Sequence, residues 1–206
     1  MVVKELNEIY LINSAKTQAD EEYLLGGNYP ISFKGLQQII SVRRLYYDLN
    51  FDKVFSSELK RSEETVKNLI YLPTTYDKVF NELWFGRAET KPDIRTRIDG
   101  FKEQFNKDFI AFMKECNGED PYRKSEKAIE KLQEIVYEMI ENPSSFPHKR
   151  VVVFTSDVLI RCIWKTLCMG RNWKNITDFS KIKNLEGIKL IYKDENLRDI
   201  RKFKIR

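Results

Sequence analysis

The chain has 206 residues, of which 42% are hydrophobic and 33% charged, with 36 basic against 31 acidic side chains. This composition is typical of a globular domain with a sizeable core and excludes a disordered or fibrous chain. The net charge of +5 is too modest to indicate a nucleic-acid-binding protein. No apolar run approaches the roughly 20 residues of a membrane span, and the N-terminus lacks the features of a secretory signal. We therefore expect a cytoplasmic protein that binds neither nucleic acid nor membrane.

The cysteines are Cys116, Cys162 and Cys168, an odd number with no Cys-x-x-Cys spacing. This pattern indicates neither a disulfide framework nor a zinc cluster, and we predict no metal site and no cofactor. Cys162 and Cys168 fall on one apolar helical segment. Because free cysteines are commonly buried, both are predicted to lie in the core.

Two strand–helix pairs are predicted in the first half of the chain. The apolar run Ile9–Ile12 reads as a short buried strand, and a helix follows the turn "NYPISFKG", with Pro30 and Ser32 as its start signal. The segment "DKVFSS" is a second short strand. The segment "ELKRSEETVKNLIYL" predicts a helix that begins at Ser57 and is stopped by Pro73.

The second half repeats this alternation. Apolar residues recur at helical spacing from Ala128 to Ile140, and "NPSSFP" ends that helix. The unbroken run "RVVVFTS" is typical of a central parallel strand, and "DVLIRCIWKTLCMG" predicts a helix that stops at Gly170. A final pair of strands, "GIKLIYK" and "LRDIRKFKI", is expected, with Lys and Arg guarding an exposed edge.

Alternating strands and helices indicate an α/β fold, a three-layer α/β/α sandwich with a mostly parallel central sheet. We expect one domain over residues 1–206, with a helical insertion at about 87–118. In that insertion the apolar residues at helical spacing are Ile98, Phe101, Phe105, Phe109, Phe112 and Met113. Open parallel sheets bind ligands beyond the carboxyl ends of their strands. The loops "NSAKT" and "TSDV" leave two strong strands there and form the predicted site.

Four segments carry a family resemblance. Ser56, Ser57, Leu59, Arg61 and Thr65 fit the pattern Ser-Ser-x-Leu-x-Arg-x-x-x-Thr, which resembles a motif of the histidine phosphatase superfamily, the phosphoglycerate-mutase-like proteins. The segments "YPISFKGLQQ", "NELWFGRAE" and "VVVFTSDVLIR" resemble further motifs of that family, in the same order. The resemblance therefore covers most of the chain and implies a phosphoglycerate-mutase-like fold.

The resemblance also implies an altered active site. In that family the first strand ends in Arg-His-Gly, the histidine becomes phosphorylated, and two arginines and a second histidine clamp the phosphoryl oxygens. Here Asn13 stands at the first arginine, Ser14 at the nucleophilic histidine and Ser156 at the second histidine. Arg61 and Glu82 remain at the positions of the second arginine and of the acid–base glutamate.

These replacements change what the site is expected to do. A serine needs a neighbouring base to act as a nucleophile, and His148, the only histidine, precedes the "RVVVF" strand at its other end. Losing three clamp groups would remove roughly 4–9 kcal/mol of phosphate affinity. Asp157 adds a negative charge, and an inward Lys16 would restore a positive one. The candidate ligand-binding residues are Asn13, Ser14, Lys16, Arg61, Glu82, Ser156 and Asp157.

Two functions remain open. The first is a degenerate family member that serves as a binding, regulatory or scaffold module for a small anionic ligand or a protein partner. The second is a divergent enzyme that uses Glu82, Asp157 and Ser14 for acid–base chemistry on a polar or phosphorylated small molecule, with Arg61 holding an anionic group. The second requires an open cleft and a base within hydrogen-bond reach of Ser14.

Several of these residues also fit purely structural roles. Arg61 and Glu82 would form a structural ion pair. Ser56 and Ser57 would cap one helix, and Ser156 and Asp157 would cap another.

Overall fold

The computed structural model describes residues 6–18, 27–86, 89, 108–174 and 182–204. Its strands are β1 (Asn7–Asn13), β2 (Lys53–Ser56), β3 (Thr74–Tyr76), β4 (Arg150–Thr155), β5 (Gly187–Lys193) and β6 (Asn196–Phe203). Its helices are α1 (Phe33–Asp48), α2 (Lys60–Leu69), α3 (Phe109–Glu115), α4 (Pro121–Glu141) and α5 (Asp157–Met169). Within these ranges, no helix is long and apolar enough to cross a membrane.

The strands form one six-stranded sheet in the order β3-β2-β4-β1-β5-β6. Its first four strands are parallel, whereas β5 and β6 are antiparallel to their neighbours. β4 lies in the interior of the sheet, as its apolar run predicts, and its residues from Val151 to Thr155 are buried. β6 is an edge strand with exposed Arg201 and Lys202, which confirms the predicted guarded edge.

Helices cover both faces of the sheet. Successive side chains of β4 point to opposite faces, so Val151 and Val153 pack in one apolar cluster while Val152 and Phe154 pack in the other. The first cluster includes buried residues of α3, α4 and α5, and the second includes those of α1 and α2. The predicted three-layer α/β/α arrangement is confirmed.

The predicted helix signals at Ser32 and Gly170 are confirmed. Ser32 caps α1, because its hydroxyl accepts a hydrogen bond from the Gly35 amide at 3.1 Å. Gly170 ends α5 with a positive φ of 58°, a backbone conformation that favours glycine. The fold thus follows from caps and apolar patterns that are visible in the sequence.

The predicted start of the second helix is wrong. α2 begins at Lys60 rather than Ser57, and its cap residue, Leu59, makes no side-chain capping bond. Ser57 does not cap the helix because its hydroxyl donates to Ser62 Oγ, and the Ser56 hydroxyl donates to the Ser57 carbonyl. The helix also ends at Leu69, before Pro73 is reached.

One further prediction is wrong, and one strand was not predicted. Cys162 is buried, but Cys168 is exposed, because the last turn of α5 extends past the core, where Met169 is also exposed. No alternation of apolar residues predicts β3, a three-residue, largely exposed strand.

The helical insertion predicted at about 87–118 is described only in part. The described part includes α3, which buries Phe109, Phe112 and Met113. Ile98, Phe101 and Phe105 lie outside the described residues.

Candidate functional site

The carboxyl ends of three neighbouring strands meet at one edge of the sheet. The Ser14 amide, just beyond β1, donates to the Thr155 carbonyl at 3.0 Å. The Ser57 amide, just beyond β2, donates to the Phe154 carbonyl at 2.9 Å. The "NSAKT" loop, the Ser56–Ser57 segment and the "TSDV" loop therefore lie together, at the edge where parallel sheets bind ligands.

Ser14 lies in a chain of buried hydroxyl groups. The Ser57 hydroxyl donates to Ser62 Oγ at 2.7 Å, Ser62 Oγ lies 2.7 Å from Ser14 Oγ, and the Ser14 hydroxyl donates to the Thr155 carbonyl at 3.1 Å. Because the Ser14 hydrogen is directed to a carbonyl, Ser62 is the donor in its contact with Ser14. Ser14 is only 1% exposed, and its hydroxyl partners are a hydroxyl and a carbonyl rather than a base.

The backbone after Ser14 is fixed by α1 and α2. The Ala15 amide donates to Thr65 Oγ1 at 3.0 Å, and the Lys16 amide donates to Gln38 Oε1 at 3.2 Å. Gly35 allows this approach, because a Cβ there would lie 2.1 Å from the Lys16 carbonyl oxygen. Gly35, Gln38 and Thr65, which lie in the segments that resemble family motifs, therefore hold the "NSAKT" loop in place.

Arg61 and Glu82 form a buried ion pair. Arg61 lies in the first turn of α2 and Glu82 follows a short 3-10 helix, Lys78–Phe80. Arg61 Nη2 donates to Glu82 Oε2 at 2.6 Å, with side-chain exposures of 9% and 15%, and Nη1 donates to the Gly27 carbonyl at 2.7 Å. The guanidinium group is thus already hydrogen-bonded through both terminal nitrogens.

The surroundings of Glu82 shift the pKa of its carboxyl group upward. Burial raises the pKa of Glu82 above its ordinary value, and the negative charges of Glu89 and Asp157 raise this pKa further, while the Arg61 guanidinium opposes them. Asp157 and Glu82 also lie near the Cys162 thiol, whose pKa is raised, chiefly by burial. Several carboxyl groups therefore lie close together at the carboxyl ends of the strands, where little solvent reaches them.

Asn13, Ser156 and Asp157 organise the start of α5. Asn13 Oδ1 accepts from the Asp157 amide at 3.1 Å, and Asn13 Nδ2 donates to the Ile182 carbonyl at 3.3 Å. Ser156 caps α5 by accepting from the Leu159 amide at 3.2 Å. The Ser156 contact fits the capping role that its residue type predicts, whereas Asp157 is the first residue of α5 rather than its cap.

The Asp157 carboxylate binds protein groups on both oxygens. One oxygen accepts from Arg161 Nη2 at 2.8 Å and the other accepts from the Ile182 amide at 3.2 Å. Arg161 was not among the predicted site residues, although Asp and Arg four residues apart on a helix are a readable signal.

Two more residues contribute to the site, and no pattern in the sequence indicates them. Ser62 is required for the hydroxyl chain, and Asn184 Nδ2 donates to the Ser14 carbonyl at 2.9 Å. Lys16, by contrast, was predicted for its charge, but its described contacts are made by its backbone amide and carbonyl.

His148 lies away from this edge. It is exposed and precedes β4, and its backbone amide donates to Asp52 Oδ1 at 3.1 Å. Lys149 and the six residues of β4 separate it from Ser156, and the strand alone is about 20 Å long. In the part of the chain that the structure describes, no cluster of His, Cys, Asp or Glu has the arrangement of a metal site.

Comparison with known proteins identifies relatives over nearly the whole chain. The family model of the histidine phosphatase superfamily (branch 1) matches residues 9–203. Adenosylcobalamin/alpha-ribazole phosphatase of Escherichia coli (strain K12) is 30% identical over 88 residues, a match that covers 40% of this chain and 43% of that protein. The chain thus matches less than half the length of this curated relative.

Solved structures agree with the fold. Mycobacterial hydrolase 1 has a TM-score of 0.78 at 17% identity and covers 96% of this chain and 97% of its own. A mycobacterial glucosyl-3-phosphoglycerate phosphatase in complex with VO3 has a TM-score of 0.74 at 16% identity, over 96% and 100% of the two chains. Phosphoglycerate mutase from Bacillus anthracis has a TM-score of 0.72 at 17% identity, over 95% and 92%. At these identities the similarity supports the fold alone.

Proposed function

Because the chain belongs to the histidine phosphatase superfamily (branch 1), we propose that it is a catalytically degenerate member that carries out no phosphohistidine chemistry. Its role is that of a binding, regulatory or scaffold module. The observation that carries this proposal is the position of the single imidazole. His148 lies at the amino end of β4, whereas the expected site lies at the carboxyl ends of the strands.

Ser14 is poorly suited to replace a nucleophilic histidine. A serine hydroxyl becomes a nucleophile when a base removes its proton. The Ser14 proton is directed to the Thr155 carbonyl, and the other hydroxyl in contact is Ser62. Its burial further restricts access to a phosphorus atom.

The remaining arginine supports weak anion binding at most. An anion that binds Arg61 competes with the Glu82 carboxylate, which already accepts from Nη2, and with the Gly27 carbonyl on Nη1. The nearby charges of Glu89 and Asp157 repel an anion as well. A small anion that binds weakly is the ligand class that fits Arg61. A protein partner is the other candidate to bind at the carboxyl ends of the strands.

One observation favours a divergent enzyme as the second candidate. The raised pKa of Glu82 is typical of a carboxyl group that transfers protons. Asp157, the proposed second acid–base group, is instead held by Arg161 and the Ile182 amide. The requirement for a base beside Ser14 is also unmet, so the degenerate member remains our conclusion.

Turnover assays test the proposal directly. The purified protein is assayed with p-nitrophenyl phosphate and with phosphate esters taken from the names of its relatives, glucosyl-3-phosphoglycerate and alpha-ribazole-5'-phosphate. We expect no turnover above that of Arg61→Ala and no acid-labile, base-stable phosphoprotein. Turnover by the parent protein that Arg61→Ala abolishes would overturn the proposal.

The same assay tests the second candidate, the divergent enzyme. An enzyme that relies on Glu82 would lose its activity in Glu82→Gln and show a pH optimum set by this carboxyl group. Ser14→Ala would then distinguish a nucleophilic serine from a structural one, because only the former loses a covalent intermediate.

A further inference from the structure

The segment from Gly27 to Tyr29, called the strap from here on, lies across the start of α2. The Gly27 carbonyl accepts from Arg61 Nη1 at 2.7 Å, and Asn28 Oδ1 accepts from the Lys60 amide at 2.6 Å. The Lys60 amide belongs to the first turn of α2, where an amide has no partner within the helix. The strap therefore covers one terminal nitrogen of Arg61 and caps the same helix from 32 residues away.

The strap is fixed at the end that leads into α1. Just beyond it, the Ile31 amide donates to Glu64 Oε2 at 2.8 Å, and the Ser32 amide donates to the Lys16 carbonyl at 2.9 Å. These bonds hold the chain to α2 and to the "NSAKT" loop. Because they lie outside the strap, they would remain if the strap moved, and Pro30 would be the pivot.

The contacts of the strap itself are more easily broken. Asn28 is exposed, so water competes for its hydrogen bond to the Lys60 amide, and the net free energy of such a bond is small. Gly27 has a φ of 80°, which favours glycine, and a Cβ there would lie 2.5 Å from the Tyr29 ring. The closed position thus depends on a surface hydrogen bond and on a residue without a side chain.

Opening of the strap would free a different nitrogen of Arg61 from the one that Glu82 binds. Glu82 accepts from Nη2, whereas the strap accepts from Nη1. Without the Gly27 carbonyl, Nη1 is a charged donor for one oxygen of an anion. The guanidinium group is therefore restricted twice, once by a carboxylate and once by a backbone carbonyl.

We propose that the strap is an autoinhibitory contact, and that a small oxyanion such as phosphate reaches Arg61 Nη1 only when the strap opens. This role rests on the weak anion binding proposed above for Arg61 and adds the element that regulates it. The apparent affinity for the anion is the intrinsic affinity multiplied by the fraction of molecules in which the strap is open. A variant that favours the open strap therefore binds the anion more tightly, although it removes no charge.

Calorimetric titration of inorganic phosphate tests the strap. Asn28→Ala removes the hydrogen bond to the Lys60 amide and tightens phosphate binding about fivefold. Gly27→Ala disfavours the same closed position without changing a contact of Asn28, and it tightens binding as well. The matched control is Asn81→Ala, because Asn81 Oδ1 accepts from the Glu58 amide at 2.8 Å, also just before α2 but outside the strap. This control leaves the affinity unchanged.

Hydrogen exchange reports the position of the strap directly. At saturating phosphate the Lys60 amide exchanges faster than in the free protein, because Asn28 no longer accepts from it. The Ile31 amide, which Glu64 holds, keeps its exchange rate and is the internal control. A strap with a purely structural role would change neither the phosphate affinity nor the exchange rate of Lys60.

Four results would overturn the proposal: an affinity that stays the same or falls in Asn28→Ala or Gly27→Ala, equal tightening in Asn81→Ala, slower exchange of the Lys60 amide with phosphate, or no phosphate binding by any variant. None of them bears on catalysis, because no turnover is measured. Turnover of a phosphate ester by the parent would instead contradict the proposed function and would leave the strap as it is.

Discussion

Two glutamates at opposite ends of the sheet's strands have similar exposed side-chain fractions, but their pKa values shift in opposite directions. Glu8 lies on β1 near the amino edge, with 17% of its side chain exposed, and Glu82 lies at the carboxyl edge, with 15% exposed. The pKa of Glu8 is lowered: burial acts to raise it, but hydrogen bonds and charges from Lys189, Tyr10 and Arg150 together outweigh burial. The pKa of Glu82 is raised.

Burial acts to raise both pKa values, and the sign of each shift depends on whether the partners outweigh burial, as they do at Glu8, or do not, as at the more deeply buried Glu82. Glu8 faces two cations, with Lys189 Nζ at 2.7 Å and Arg150 Nε at 3.1 Å. Glu82 faces one hydrogen-bonded cation and the charges of two other carboxylates. One carboxylate thus faces two cations at the amino ends of the strands, whereas three carboxyl groups lie near Arg61 at the carboxyl ends.

The largest expected effect comes from removing that arginine. Arg61→Ala leaves Glu82 buried beside two carboxylates and lowers the free energy of unfolding by about 3 kcal/mol at neutral pH. Urea denaturation at pH 7 measures it. The loss shrinks at lower pH, where Glu82 takes up a proton. Arg150→Ala is the matched control at the other edge and costs about 1 kcal/mol or less, because Arg150 is 38% exposed and Lys189 still contacts Glu8. Equal losses in the two variants would contradict the comparison.

A smaller effect is expected from the hydroxyl chain. Ser14→Ala removes the donor to the Thr155 carbonyl and the acceptor for Ser62, and lowers the free energy of unfolding by about 1–2 kcal/mol. Thermal and urea unfolding both report it. Thr74→Ala, which removes an exposed hydroxyl that donates to the Leu72 carbonyl, is the control and changes stability by less than about 0.5 kcal/mol. A Ser14→Ala protein as stable as its parent would mean that the hydroxyl chain contributes nothing.

The smallest effect is expected in the pH dependence of stability, where the two glutamates differ in sign. Glu82 has a folded-state pKa above its unfolded value, so its stabilising contribution is present below the unfolded pKa and is lost as pH rises through the folded pKa. Glu8 has a folded-state pKa below its unfolded value, so its contribution is present above the unfolded pKa and is lost as pH falls through the folded pKa.

Unfolding curves of the parent, Glu82→Gln and Glu8→Gln between pH 4 and pH 8 separate the two signs. As pH rises, the stability of the parent relative to Glu82→Gln decreases, and its stability relative to Glu8→Gln increases. If both stability differences changed in the same direction as pH rises, the pKa shifts of Glu82 and Glu8 would not be opposite.

Much of the fold could be predicted because local pattern and tertiary position agree. The apolar run of β4 requires cover on both faces, and Ser32 and Gly170 are boundary signals that act within a few residues. β3 was missed because three largely exposed residues carry no alternation to detect. The wrong start of α2 arose because Ser57 bonds Ser62 instead of the helix end.

The candidate site could be predicted only where sequence motifs identify it. The ion pair of Arg61 with Glu82 and the cap at Ser156 follow from residue type and place in the motifs. The contact of Ser14 with Ser62 joins residues 48 apart along the chain, and no spacing rule predicts it. A motif locates a side chain at an edge, but it does not determine which hydrogen bonds the side chain makes.

The central claim is that the Glu82 carboxylate already binds Arg61, the arginine that would hold an anion. Calorimetric titration of inorganic phosphate into the parent, Glu82→Gln and Glu8→Gln tests it most directly. We predict weak binding by the parent, no change in Glu8→Gln, and binding about tenfold or more tighter in Glu82→Gln, because Arg61 regains a charge-assisted hydrogen bond for the anion. Tight binding by the parent that weakens in Glu82→Gln would contradict the claim.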